Sequence, residues 1–427
     1  MESNEQPQNV RRNFGVLAAN FIVMRVGWIF KTEAVVMPGF LDSLGAGAAA
    51  RGWLIVINRL GQSVPQFLIA HHIAGLSRLK SWYVFLSILN ALPWGVLAFL
   101  VPAVIGEGDR ARILQVFIVS YAVYWLLFGT VRIFDRTTQG KVLPYNIRGR
   151  LISVSGAIGG LLAVIAALLL MAKWLGEGQG RFDLIFLFIF VCFGASALVL
   201  FGLVETPREE KDGEDAIRFR DTIEVFLSDR EFRKLLVCAM FASSILLLFP
   251  HLAVFGRREL GLGITSFAMM VVYQNIFMAA ISIVVGWLAD RHGNRLAFQL
   301  LTFGLCTIPV AAILLVGMGE TGRKLYPLMF GLVGFTPVSQ RILANYVLEM
   351  APQEKHAQYL ATLQMAIIIP LLFSPLAGNL AEVFSYEAVF LVINVILVFG
   401  ALMTFWLKEP RHRKADEASP QTPEQLL

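Results

Sequence analysis

Gly286-Trp-Leu-Ala-Asp290-Arg291-His-Gly293-Asn-Arg295 closes one apolar run, 264–288, and opens the next, 296–318. Each run is long enough to cross a bilayer as a helix, which takes about 20 residues. The connection is therefore a tight turn at a membrane surface, and it holds a carboxylate, two arginines and two glycines. Gly286 offers a place for another helix to approach closely, and Gly293 suits the positive φ of a tight turn. Arg291 and Arg295 hold the turn on the positive side of the membrane. Arginines alone are ordinary in a short cytoplasmic loop. Asp290 with both glycines at this spacing is the specific part.

The rest of the chain has the same character. Of its 427 residues 57% are hydrophobic and 15% charged, with a mean hydropathy of +0.67. A soluble domain is about a quarter charged, so this composition belongs to a polytopic membrane protein whose partner is the lipid bilayer. The net charge of +6 does not point to nucleic acid, because the basic residues gather at the ends of apolar runs. Residues 1–13 are polar and lack the short apolar core of a cleaved signal peptide. Cys192, Cys238 and Cys306 each fall inside an apolar run, which suggests packing rather than a disulfide or metal framework. No cofactor is expected.

Twelve runs reach spanning length: 14–37, 52–72, 82–104, 112–139, 151–173, 182–204, 234–256, 264–288, 296–318, 325–348, 358–380 and 386–407. The longest polar interruption, 205–233, divides them six and six. This predicts an all-α fold with a bundle over 14–204, a linker over 205–233, a second bundle over 234–407 and a disordered tail over 408–427. Within the linker, Ile223, Phe226 and Leu227 mark an interfacial helix over 221–235, and Ser228 with Glu231 fits a capping box opening the seventh span. With the N-terminus inside, and with the span-end residues Arg112, Lys173 and Lys234 counted in the segments they adjoin, 21 of the 36 Lys and Arg fall in inner segments, 9 in outer ones and 6 within spans. That ratio puts both termini in the cytoplasm, in a cell or inner membrane.

The opening stretch and the twelve runs together resemble the major facilitator superfamily. Its loop signature, Gly-x-x-x-Asp-Arg-x-Gly-x-Arg, joins the second and third helices of a six-helix half and matches at Gly286, Asp290, Arg291, Gly293 and Arg295. The first-half counterpart, His71-His72-Ile-Ala-Gly75-Leu-Ser-Arg78-Leu-Lys80, lacks the aspartate. A weaker repeat pairs 144–150 with 352–358 at the starts of spans five and eleven. The resemblance implies two pseudo-symmetric bundles rocking about a midplane site, in a protein that works as a monomer. It also implies that spans one, four, seven and ten line the cavity. Asp290 would then gate it by meeting the N-terminal end of span five, where Arg148 and Arg150 lie.

Polar residues inside the spans are the candidate site. In span four Tyr121, Trp125, Phe128, Arg132, Asp135, Arg136 and Gln139 recur at steps of three and four, with Tyr124 beside them. The alternative is that this span ends near Val131, leaving its charges in a loop. Span one places Arg25, Trp28 and Thr32 on one face, with Lys31 and Glu33 nearby. Span two carries Asn58, Gln62 and Gln66 four residues apart, with Arg59 alongside. Span ten has Pro337, Arg341, Asn345 and Glu349 on one stripe; span seven offers Ser244 and His251, and span eight Gln274. A lone Asn or Gln more often bonds two helices than binds a ligand. Intramembrane charge, however, usually faces a cavity or a partner.

Six in-span cations, Arg25, Lys31, Arg59, Arg132, Arg136 and Arg341, stand against Glu33 and Asp135. That surplus calls for anions, and the planar fork of arginine suits carboxylate or phosphate. The expected substrate is an organic anion, held by Arg132 and Arg341 from opposite halves and stacked on Trp28, Tyr124 or Trp125. The bland reading is that Lys31 and Arg59 snorkel to the surface, Arg132 neutralises Asp135 and Arg341 pairs with Glu349. Glu33 is the better protonation candidate, because Asp135 lies between two arginines. Gly156, Gly159 and Gly160 in span five are expected to pack closely against a neighbouring helix. Enzyme signatures are absent: Gly45-Ala-Gly47-Ala-Ala-Ala50 mimics a dinucleotide fingerprint with no strand before it. The competing readings are a transporter of a neutral or cationic solute, and a sensor or scaffold that kept the fold.

Overall fold

The computed structural model describes residues 2–74, 76, 78–107, 109–176, 180–205, 219–352 and 355–410. Gly75, most of the linker before residue 219 and the tail from residue 411 lie outside the described residues, as do the side chains of His71, His72 and Ile223.

The first half of the chain forms α1 (Glu2–Trp28), α2 (Val36–Ser43), α3 (Ala48–Ala74), α4 (Lys80–Glu107), α5 (Arg110–Val142), α6 (Tyr145–Ala166), α7 (Ala172–Gly176) and α8 (Phe182–Val199). After α9 (Phe219–Ser228), the second half forms α10 (Arg230–Ser243), α11 (Phe249–Leu260), α12 (Ser266–His292), α13 (Asn294–Gly317), α14 (Glu320–Val333), α15 (Phe335–Met350), α16 (His356–Leu371), α17 (Ser374–Val383) and α18 (Tyr386–Met403). Among the described residues, ten helical stretches are long and apolar enough to cross a membrane.

Two of the expected runs are not among those ten. In 52–72 the polar side chains of Asn58, Arg59, Gln62, Ser63 and Gln66 dilute the apolar length of α3. In 325–348 Ser339, Gln340, Arg341 and Asn345 do the same, and this run is also cut at Gly334 into α14 and α15. A Cβ there would come 2.8 Å from the backbone nitrogen of Met278, so the close approach of α12 decides where the helix breaks. Other spans are interrupted too. The first passes through a 3₁₀ turn, Ile29–Lys31, between α1 and α2. The seventh does so at Ser244–Leu248, just before Pro250. The eleventh breaks between α16 and α17, just after Pro370.

The expected capping box at Ser228 is replaced by a cap one residue on. The Asp229 carboxylate accepts the N–H of Phe232 at 3.0 Å and opens α10. Ser228 is the last residue of α9, and its hydroxyl turns back to the Val225 carbonyl. By contrast, α5 continues unbroken to Val142, so Arg132, Asp135, Arg136 and Gln139 are helical and not loop residues beyond Val131.

Two carboxylates tie the end of each half of the chain back onto earlier helices of that half. Glu205 accepts N–H groups of Leu79 and Lys80 at 2.8–3.0 Å at the start of α4, and the Lys141 ammonium at 2.6 Å. Burial raises its pKa, but these donors outweigh burial and hold it below the usual carboxylate range. Glu409 stands in the same place in the second half and accepts the N–H of Arg295 at 3.0 Å at the start of α13. Gly293 makes this possible: its φ is +92°, and a Cβ would collide with the Glu409 carboxylate. Both carboxylates lie at what we call the terminal end, where α1 begins and Asn13 exchanges 2.8 Å hydrogen bonds with Val204.

Two expected close approaches differ from the structure. A Cβ on Gly286 would meet nothing within 4 Å. Of the three span-five glycines, Gly159 packs against Ile22 and Arg25 of α1, whereas Gly156 and Gly160 face open space.

Candidate functional site

The polar residues of spans one, two and four converge. The Nδ2 of Asn58 donates to Oε1 of Glu33, and the Tyr121 hydroxyl donates to the same oxygen at 2.6 Å. The Nε2 of Gln62 donates to Oδ1 of Asn58, and Nη1 of Arg132 donates to Oε1 of Gln62 at 2.6 Å. Four side chains from three spans thus form one chain, from a guanidinium to a carboxylate. Arg59 lies within electrostatic reach of both Glu33 and Arg132. Its Nε is buried without a hydrogen-bond partner.

Lys31 is buried beside this chain in an aromatic cage. Its ammonium sits 3.6 Å from the ring centroid of Trp28, 4.0 Å from Trp125 and 5.3 Å from Tyr124. A desolvated cation on such faces is attracted by about 2 kcal/mol. Lys31 therefore does not snorkel, and the rings expected to stack on a ligand hold an internal cation. Tyr124 and Trp125 are buried in the core against Trp94 and one another, and Trp28 keeps partial exposure.

One turn nearer the terminal end, Arg25 donates from Nη2 to Oδ1 of Asn275 on α12 at 2.8 Å, joining the two halves. Arg341 of α15 lies within repulsive reach of Arg25. Arg341 and Asn345 are exposed, one turn apart. Arg132 reaches the same level: the Trp28 and Phe128 rings meet at 5.1 Å, and α1 and α5 run in opposite directions. One turn back from Trp28 and one turn on from Phe128 bring Arg25 and Arg132 down together. Arg132 does not simply neutralise Asp135. That carboxylate accepts the Tyr83 hydroxyl at 2.8 Å and also a bond from Gln139, with Arg132 and Arg136 as its charged neighbours.

Away from the terminal end the halves are bridged, by residues that the sequence reading did not select. Asp42 accepts Arg257 at 2.9 Å and Arg258 at 2.7 Å from the second half, with Arg51 at 3.4 Å. Arg51 also donates to the Tyr386 hydroxyl at 2.7 Å, and Glu382 accepts the N–H of Ala48 at 2.5 Å. The backbones touch here as well: a Cβ on Gly52 would lie 2.5 Å from the Ser374 carbonyl oxygen. His251 is buried against Tyr386, ring centroids 6.0 Å apart. The available signal was Arg51, Arg257 and Arg258 on the arginine-poor side of the chain.

The signature loop lies at the terminal end, with Gly293 and Asn294 buried. Asp290 and Arg291 are exposed, and Arg291 stacks over Trp287 at 5.5 Å. Arg148 donates to the carbonyls of Gly140 at 2.8 Å and Leu143 at 2.9 Å, capping the end of α5, and Arg150 is exposed. Among the described residues no group of His, Cys, Asp and Glu is arranged to hold a metal.

Comparison with known proteins matches the Major Facilitator Superfamily over residues 19–367. A Na+, Li+, K+/H+ antiporter of Planococcus maritimus is 26% identical over 181 residues, 39% of either chain. A Bacillus subtilis (strain 168) protein named "Probable galactarate/D-glucarate transporter GudP" is 30% identical over 170 residues, 37% of this chain and 36% of that one. The match thus spans less than half the length of these relatives. A crystal structure of a mutant of the nucleoside transporter NupG is similar in fold, with a TM-score of 0.70 at 11% identity, covering 93% of this chain and 100% of that one.

Proposed function

Since the chain belongs to the major facilitator superfamily, we propose that it is a secondary transporter carrying a small organic anion across the bilayer by alternating access. Runs 52–72 and 325–348 complete the ten stretches to twelve spans, in two six-helix halves over 14–204 and 234–407. The Lys and Arg count supports cytoplasmic termini, so the terminal end is the cytoplasmic one. The bridge around Asp42 then closes the outer mouth, and the cavity faces inward.

One observation carries the anion reading. Arg25 and Arg341, from opposite halves, lie within electrostatic reach of one another, and Arg341 is exposed. Arg132 stands on the same level. Two cations held against one another are stabilised by an anion between them, and closing the halves over it couples binding to rocking. Arg25 thus takes the position across from Arg341 that the charge pattern alone assigns to Arg132. The aldarate named for the B. subtilis relative is a dicarboxylate, in keeping with this reading. The P. maritimus relative favours a cation instead, but Glu33 and Asp135 already accept hydrogen bonds from neighbouring side chains. A scaffold would have no need of charge lining an interior.

A thermal-shift screen of the purified protein with galactarate, succinate, choline, sodium and glucose tests the class. Carboxylates should stabilise it. Arg25→Gln and Arg341→Gln should each weaken the best carboxylate about a hundredfold, roughly 3 kcal/mol, with little loss of folded yield. Stabilisation by choline, sodium or glucose alone would end the anion reading.

A further inference from the structure

We propose that Gln62 and Asn58 couple anion capture at Arg132 to proton binding at Glu33, so that anion and proton are carried together. This rests on the anion reading above. The three bonds of the chain all donate in one direction: Arg132 to Gln62, Gln62 to Asn58, Asn58 to Glu33. An amide presents N–H groups on one side and a carbonyl on the other. Neither amide can therefore reverse alone without setting two carbonyls or two NH₂ groups face to face. The pair has two satisfied arrangements, one for each direction of donation.

In the arrangement seen here Glu33 faces donors, the NH₂ of Asn58 and the hydroxyl of Tyr121, which suits an ionised carboxylate. The charged and titratable groups around Glu33 are Lys31 on its own segment, Arg59 from α3, and Tyr121 and Tyr124 from α5. An anion that draws Arg132 away leaves the Gln62 carbonyl without its donor in low-dielectric surroundings, which is costly. Rotation of both amides restores the bonding. Gln62 then turns its NH₂ outward and its carbonyl to Asn58, and Asn58 turns its carbonyl to Glu33. A carboxylate repels that carbonyl, whereas a carboxylic acid donates to it. Glu33 therefore takes one proton from a solvent hydronium ion per anion bound: an O–H bond of hydronium breaks and releases water, an O–H bond forms on Glu33, and no other covalent bond changes.

The fold explains why a relay is needed. Tyr121, which touches Glu33, and Arg132 are separated along α5 by about 16 Å, three turns of helix. The glycines at the helix crossing let the relay close the gap. A Cβ on Gly129 would collide with the Gly61 carbonyl, and this contact sets Gln62 beside Arg132. A purely structural amide ladder between helices would use the same bonds but would not make anion affinity depend on pH.

The test is calorimetric titration of the purified full-length protein in nanodiscs with galactarate at pH 5.5, 6.5 and 7.5, in buffers of different ionisation heat. Affinity should rise as pH falls, by up to tenfold per unit, with one proton taken up per galactarate. Glu33→Gln should bind with no pH dependence and no proton uptake. Gln62→Met should still bind but lose the pH dependence, and Asn58→Leu should repeat that result if Gln62→Met folds poorly. Wild-type binding that ignores pH, or a pH dependence that survives Gln62→Met, overturns the relay while leaving the anion reading intact. No galactarate binding at any pH, with no carboxylate active in the screen, overturns the anion reading and the relay with it.

Discussion

Gly286 and Gly293 belong to one stretch of chain but should answer differently to the same substitution. Gly293 holds φ +92° against the Glu409 carboxylate, so Gly293→Ala adds backbone strain of about 1–3 kcal/mol and displaces the latch on α13. At Gly286 a methyl group meets open space, and replacing a helical glycine there should stabilise by roughly 0.5–1 kcal/mol. Thermal unfolding of both variants in detergent checks this; equal losses would mean that the loop does not close on Glu409. Residue identity was legible at this scale, and partnership was not. Glu33, Gln62 and Arg132 stand out in the sequence because charge and amide groups are expensive in an apolar run. That Lys31 would occupy the cage of Trp28, Tyr124 and Trp125 depends on how α1 and α5 meet, which local periodicity does not encode.

At the scale of helices, bilayer thickness makes spans readable, and tertiary approach makes their breaks unreadable. The break at Gly334 follows from the backbone of α12 pressing on it, and that neighbour is remote in sequence. Prolines are an incomplete guide. Pro250 and Pro370 stand at breaks, whereas Pro65 and Pro93 lie inside continuous helices. The start of α10 offers a direct comparison of the two readings. Asp229→Ala removes the cap and the 3.0 Å bond from the Tyr359 hydroxyl, and should cost about 0.5–2 kcal/mol in an unfolding titration. Ser228→Ala, the change a capping box at that position would make costly, should be nearly silent. The reverse order would restore the sequence reading.

For the whole molecule the proposed transport cycle makes the bridge around Asp42 and the loop around Asp290 opposed controls of one equilibrium. Asp42→Asn weakens contacts to Arg51, Arg257 and Arg258 at once and should shift the population toward an outward-open form, by roughly 5- to 150-fold for a coupling of 1–3 kcal/mol. Asp290→Asn should leave the outer mouth closed and favour the inward-open form further, slowing transport while preserving substrate binding. Engineered cysteines at the two mouths, labelled with an impermeant reagent, report both effects. Unchanged labelling in Asp42→Asn would mean that the bridge holds nothing shut. The sequence marks the arginines of this bridge but not their pairing, because Asp42 meets Arg257 and Arg258 only when two remote halves come together.

The Glu205 latch bears on how the protein is made. Among the described residues its bonds run to residues that precede it in the chain, to Leu79, Lys80 and Lys141. A ribosome that has released residue 205 has therefore delivered every described partner of this latch, with the second half still unsynthesised. Biogenesis can then proceed half by half, each bundle completed by its own last carboxylate before the two are asked to meet.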